Sequence, residues 1–120
     1  MAVTTGTTWD IVLNAASAHP EPGGFSPRAA YQAALYGRVI VVDLRTPAQR
    51  SRDGELPARL QPVLVDPLEL AAWLHESLAP LIVLLDDDGD RAARLAAGDR
   101  RVGAVRGGFA GWREAGLPVA

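Results

Sequence analysis

The 120-residue sequence contains no cysteine. This absence excludes disulfides, thiolate-bound metals and any reaction in which a thiol of this chain is the nucleophile. No apolar run approaches the length of about 20 residues that crosses a bilayer. Residues 1–5 also lack the basic and apolar regions of a signal peptide. We therefore expect a soluble, cytoplasmic protein without a membrane partner.

Neither sign of charge is in large excess. The chain has 12 basic and 14 acidic residues, for a formal net charge of -2 at pH 7. No global field would draw such a chain onto nucleic acid, and its arginines are too few and lack interleaved aromatic residues. The two histidines, His19 and His75, lie too far apart in sequence to suggest a ligand pair. We expect neither a nucleic-acid partner nor a cofactor.

Apolar residues make up 48% of the chain, which is long enough for one hydrophobic core and too short for two. Residues 39–42 and 81–85 are continuous apolar runs, which are typical of strands buried on both faces. Shorter strands are predicted at residues 62–65 and 102–105. Helical segments alternate with these strands, so the sequence predicts an α/β layered fold with parallel strand pairing.

Three helix starts carry the same local signal, a capping side chain followed by proline. They are Ser26-Pro27, Thr46-Pro47 and Asp66-Pro67. The third helix should carry Leu70, Trp73, Leu74 and Leu78 on one face. Further helices are predicted at about residues 91–97 and 109–115. An amphipathic helix at residues 8–18 and a Pro/Gly linker form an N-terminal segment, 1–24, ahead of the main domain, 25–120.

Three segments occur in the order found in one known family. They are Val41-Val42-Asp43-Leu44-Arg45, then Gly54-Glu55-Leu56-Pro57, and a terminal run, residues 106–119, that includes Gly107-Gly108-Phe109, Trp112 and Gly116-Leu117-Pro118-Val119. Together they resemble the rhodanese homology domain, in particular single-domain bacterial thiosulfate sulfurtransferases. The resemblance implies a three-layer α/β/α rhodanese-like fold with a mostly parallel, five-stranded sheet. Taken alone, the terminal run is explained by packing.

In that family the cysteine nucleophile follows the central strand and heads a loop of about six residues, whose N–H groups surround the sulfur ahead of a helix N-terminus. The corresponding residues here are Asp86-Asp87-Asp88-Gly89-Asp90-Arg91, with Asp86 at the position of the cysteine. A carboxylate cannot carry sulfur as a persulfide, and a highly acidic loop repels anions such as thiosulfate. The resemblance therefore implies a degenerate loop without a catalytic residue.

Two interpretations of the acidic loop remain open. In the first, the Asp86 carboxylate accepts hydrogen bonds from the loop amides and takes the place of the anion. In the second, Asp86, Asp88 and Asp90 alternate like the oxygen ligands of a calcium loop, with Gly89 allowing a tight turn. The second pattern is weak, because the twelfth position holds Ala97 instead of an acid. We expect no metal site.

The other residues that match the family have structural or pocket-lining roles. Asp43 and Arg45 match its strand-end pair, and we expect Arg45, together with Asp86 and Arg91, to line the remaining pocket. Arg91 and Arg94 could pair with the loop carboxylates. Glu55 stands where the family has a histidine, so no imidazole is available there for proton transfer.

Three functions remain as hypotheses. The first is a catalytically inactive rhodanese-like domain that binds a protein partner or regulates a pathway linked to sulfur metabolism. The second is an enzyme of altered chemistry that uses loop 86–90 with a divalent cation. The third is a sulfur-relay accessory that docks a thiol-bearing partner without carrying sulfur itself.

Overall fold

A computed structural model describes residues 24–120, and the helix predicted at residues 8–18, most of its linker and His19 lie outside this range. Strands and helices follow one another along the chain. The strands are β1 (Ile40–Asp43), β2 (Val63–Leu64), β3 (Ile82–Leu85) and β4 (Val102–Ala104). The helices are α1 (Pro27–Leu35), α2 (Pro47–Asp53), α3 (Leu70–Glu76), α4 (Asp90–Ala96) and α5 (Gly108–Glu114), with 3-10 turns at Ala58–Leu60 and Pro67–Glu69.

The sheet has the strand order β2-β1-β3-β4, and all of its pairings are parallel. The two predicted apolar runs form its central strands, and every residue of β3 is buried. Alternate residues of a strand point to opposite faces, so Val83 and Leu85 pack with α1 and α5, while Ile82 and Leu84 pack with α3 and α4. The predicted three-layer α/β/α arrangement is therefore confirmed.

The predicted helix starts form as local physics requires. Ser26 accepts a hydrogen bond from the Ala29 N–H, and Thr46 and Gln49 form a reciprocal capping box at α2. Asp66 accepts from the Leu68 N–H and begins a 3-10 turn that leads into α3. In each case the following proline contributes a fixed φ and needs no hydrogen-bond acceptor.

Residues 24–120 form four strands where the family resemblance implied five. Beside β4 lies a single residue, Phe25, which forms one parallel bridge with Val105. Its N–H donates to the Ala104 carbonyl at 2.7 Å and its carbonyl accepts from the Arg106 N–H at 2.8 Å. The extended segment ends there because Ser26 caps α1 immediately afterwards.

The prediction that Leu78 shares the apolar face of α3 is wrong. The helix ends at Glu76, Ser77 adopts an extended conformation, and the Leu78 side chain is 97% exposed. Pro80 disfavours helical geometry in Ala79, whose N–H donates to the Ser77 hydroxyl at 3.3 Å, so the helix does not continue through this segment. Among residues 24–120, no helix has both the length and the apolar character needed to cross a membrane.

Arg101 connects the loop before β4 to the end of α3. Its guanidinium donates to the carbonyls of Ser77 and Leu74 at 2.9 and 3.0 Å, and it forms a two-point ion pair with Asp99. The Asp99 carboxylate also accepts from the Arg101 backbone N–H at 2.9 Å. These hydrogen bonds, led by those from the guanidinium, lower the pKa of Asp99 below its ordinary value of 3.8.

We predict that Asp99→Asn lowers the free energy of unfolding at pH 7 by about 1 kcal/mol, the size of a partly exposed charged hydrogen bond. A carboxyl whose folded pKa is lowered stabilises the fold above its unfolded pKa and loses that effect as the pH falls through the folded value. The difference from wild type should therefore shrink below pH 3.8. Urea denaturation at several pH values measures it, with Glu114→Gln as the exposed control. A difference that is constant with pH would contradict this account.

Candidate active-site loop

The carboxyl ends of β1 and β3 place the acidic loop beside the strand-end pair. Asp43, the last residue of β1, is in register with Leu85, the last residue of β3, and Asp86 follows directly. Functional sites of open parallel sheets lie at this edge. The loop then runs from Asp86 to the start of α4 at Asp90.

Asp86 is buried, and both of its carboxylate oxygens accept backbone hydrogen bonds. Oδ1 accepts from the Gly89 N–H at 2.6 Å, and Oδ2 accepts from the Ala92 N–H at 2.9 Å. The side chain is surrounded by the chain that follows it, and only 5% of the residue surface is exposed. These are the hydrogen bonds that the internal-acceptor interpretation requires. Because Ala92 is the third residue of α4, Asp86 also supplies the cap that the glycine at the helix start cannot.

The next two aspartates accept two more backbone N–H groups of the turn. Asp87 Oδ1 accepts from the Asp88 N–H at 3.0 Å, and Asp88 Oδ1 accepts from the Asp90 N–H at 2.9 Å. The second oxygen of Asp87 accepts from the Gln49 side chain at 3.2 Å, which ties the loop to α2. Four N–H groups of the loop and helix start are thus satisfied by carboxylates of the same loop.

The start of α5 closes the loop from the other side. The Phe109 N–H donates to the Asp86 carbonyl at 2.8 Å, and the Ala110 N–H donates to the Asp87 carbonyl at 3.1 Å. Gly108 has φ +57°, and a Cβ there would lie 2.7 Å from three backbone atoms of the loop. The two backbones approach this closely only because glycine lacks a side chain.

This contact gives the terminal Gly-Gly-Phe run a role that sequence reasoning missed. The run was interpreted as packing, and Phe109 and Trp112 are indeed buried in the core. Its first residues also determine where the loop backbone lies. Two adjacent glycines before a helix were the available signal, but nothing in the sequence indicates which backbone they would touch.

Arg45 lies inside the protein, against the end of β1 and the start of α5. Its guanidinium makes a two-point ion pair with Asp43 at 2.8 and 3.0 Å, donates to the Gly54 carbonyl at 2.9 Å and lies over the Phe109 ring at 3.9 Å. The Arg45 side chain is fully buried, and its ion pair with Asp43 stabilises the end of β1. Glu55 is largely exposed and lies 3.5 Å from Arg50.

A groove of about 620 Å³ opens beside the acidic loop. Arg91 and Arg94 line it on one side, but among residues 24–120 neither forms an ion pair within 4 Å, so the suggested pairing with the loop carboxylates is not formed. Other lining residues come from three parts of the chain, namely Leu44, Thr46, Gln49, Asp66, Pro67, Leu68, Asp86, Asp87, Asp88 and Asp90.

The carboxylates that approach one another differ from the alternating set considered for a cation. Oxygens of Asp86, Asp87 and Asp88 lie within 4.8 Å of one another, whereas Asp90 is outside this group. Each oxygen of Asp86 already accepts one N–H group, so a cation would have to bind through the lone pairs that remain on this buried side chain. The geometry does not reproduce a calcium loop.

Comparison with known proteins gives matches to structures only. No protein-family model matches the sequence, and no curated protein matches it. A protein of unknown function from Rhodopseudomonas palustris, described as a possible tyrosine phosphatase, has 25% identity and a TM-score of 0.66 over 81% of this chain and 83% of its own. A rhodanese-related protein from Thermoplasma volcanium has 20% identity and a TM-score of 0.66 over 81% and 96%.

A rhodanese-like domain protein from Staphylococcus aureus is also similar, with 20% identity and a TM-score of 0.61 over 80% of this chain and 96% of its own. The described chain is therefore an α/β domain with a parallel sheet and a loop at the strand ends. More specifically, it has the fold of single rhodanese-like domains, in a sequence without cysteine.

Gly108→Ala should destabilise the protein by at least about 2 kcal/mol more than Gly116→Ala. Both glycines have positive φ, but a Cβ at position 116 has no neighbour within 4 Å, so only position 108 adds a clash with backbone. The free-energy cost of placing alanine at a positive φ is common to both variants, so it cancels when their stabilities are compared. Guanidinium denaturation measures it, and equal losses would mean that the loop and α5 do not pack this closely.

Asp86→Asn should lower the free energy of unfolding by about 2 kcal/mol, because one buried N–H then faces an amide donor in place of an oxygen. The matched control is Asp90→Asn, because the Asp90 carboxylate is exposed and accepts no hydrogen bond from residues 24–120. That change should stay within about 0.5 kcal/mol of wild type. Denaturation at pH 7 tests both, and equal stabilities would contradict the assigned role of Asp86.

Proposed function

We propose that this protein is a rhodanese-like domain that is inactive in sulfur transfer and acts by binding a partner. The observation that carries the proposal is the Asp86 carboxylate, which directly follows the central strand and accepts the Gly89 and Ala92 N–H groups. In the family, such amides stabilise a sulfur anion. In this chain the Asp86 carboxylate, an anion that is part of the protein, accepts the hydrogen bonds of these amides.

The chemistry of sulfur transfer supports the same conclusion. The thiolate must attack the outer sulfur of thiosulfate, form a sulfur–sulfur bond and release sulfite, and the resulting persulfide then passes its sulfur to an acceptor. The chain has no thiol, and a carboxylate does not form that intermediate. Phosphoryl transfer through a cysteine, as in many tyrosine phosphatases, would need the same missing atom.

The alternative enzyme, with a cation held by the acidic loop, receives less support. Of its proposed ligands, Asp86 and Asp88 approach each other but Asp90 lies outside their group, and both oxygens of the buried Asp86 already accept backbone hydrogen bonds. A titration with calcium, magnesium or manganese followed by thermal unfolding addresses it directly. Stabilisation at micromolar metal that is lost in Asp88→Asn would favour the alternative.

The main test is a sulfurtransferase assay on the full chain. With thiosulfate and cyanide, we expect thiocyanate release at the protein-free rate and no mass increase of one sulfur atom after incubation with thiosulfate. A cysteine-containing rhodanese in the same buffer confirms that turnover would be detected. Thiocyanate formation above the blank that scales with protein concentration would overturn the assignment.

A further inference from the structure

The groove beside the loop has a net negative lining. Besides the buried Asp86, four aspartates and two arginines line it, for a formal charge of -2. The family's loop stabilises anions, as the resemblance implies. Here its surroundings favour a positively charged group, so the sign of the preferred ligand is reversed.

An exposed apolar side chain lies on the same groove. Leu68 is 94% exposed, and Pro67 precedes it in the 3-10 turn before α3. The turn is held by Asp66, whose carboxylate accepts from the Leu68 N–H at 2.8 Å and whose carbonyl accepts from the Glu69 N–H at 2.8 Å. Leu68 is therefore presented to solvent by an ordered turn, and an apolar group that covered it would gain from burial.

The positions of the aspartates favour an extended ligand over a single ion. Asp66 lies before α3, Asp87 and Asp88 lie in the loop, and Asp90 begins α4. Asp87 and Asp88 each use one oxygen to hold the turn. Charges on two separate segments, together with an apolar rim, match a peptide with several side chains.

We infer that this groove docks a segment of a partner protein in which lysine or arginine side chains flank a large aliphatic residue. The basic groups face Asp66, Asp88 and Asp90, and the aliphatic residue covers Leu68. This inference rests on the proposed function, because it names the chemistry of the partner that an inactive domain would bind.

The test uses the full chain and a fluorescein-labelled peptide in which lysines alternate with leucines, followed by fluorescence anisotropy. We expect saturable binding that weakens with added salt. Replacing the leucines by serine, or the lysines by glutamate, should raise Kd at least about fivefold, which corresponds to losing one significant contact.

Matched variants locate the binding surface. Leu68→Ser should raise Kd at least about fivefold, while Leu78→Ser, which changes a leucine that is 97% exposed and does not line the groove, should leave it unchanged. The pair Asp66→Asn and Asp90→Asn should weaken binding, and the pair Glu76→Gln and Glu114→Gln should have less effect. Asparagine at position 66 keeps the oxygen that caps the turn. Thermal unfolding confirms that each variant is folded.

Three outcomes would overturn the inference. They are no saturable binding to wild type, equal losses in groove and control variants, and binding of spermidine alone that matches the peptide and is insensitive to Leu68→Ser. The last result would indicate a small-cation site. None of these outcomes affects the thiocyanate assay, so a wrong partner chemistry can be distinguished from a wrong assignment of inactivity.

Discussion

The structure around the candidate site depends on a group of backbone N–H donors at the end of the central strand, which require an acceptor. A loop that curls after a parallel strand and leads into a helix directs several amides toward one point. Unpaired buried amides are costly, so the position must hold an acceptor, a bound anion or water. Asp86 supplies that acceptor from within the chain, with one oxygen on the Gly89 amide and the other on the Ala92 amide.

The neighbouring elements keep this loop in place. Glycine at position 108 lets α5 approach until its first amides donate to the carbonyls of Asp86 and Asp87. The Asp43–Arg45 ion pair, with the arginine over Phe109, joins the end of β1 to the start of the same helix. Each of these contacts involves buried polar groups that are paired, so the position of the loop is stabilised from several sides.

Local patterns predicted most of the fold. The apolar runs located β1 and β3, and the pairs of a capping residue and proline located three helix starts, because these signals act within a few residues. The alignment of Asp86 with the family's cysteine was an expectation based on the order of the segments that resemble the family. A fifth strand, a place for Leu78 on α3 and ion pairs for Arg91 and Arg94 were expected, and residues 24–120 form none of them. The contact between Gly108 and the loop depends on tertiary packing across about 20 residues of sequence, which no local signal encodes.

In the proposed function, the Asp86 carboxylate has two effects that act together. It stands in place of a sulfur nucleophile, and it accepts the Gly89 and Ala92 amides, so these two amides need no bound anion. With these amides satisfied, the exposed charges around the groove are those of Asp66, Asp88 and Asp90 against Arg91 and Arg94, and their sum is negative. An acidic rim does not attract thiosulfate, but it does attract basic side chains. In the proposed function, the loop that lacks a nucleophile therefore borders a groove suited to protein contact, and the exposed Leu68 gives that contact an apolar component.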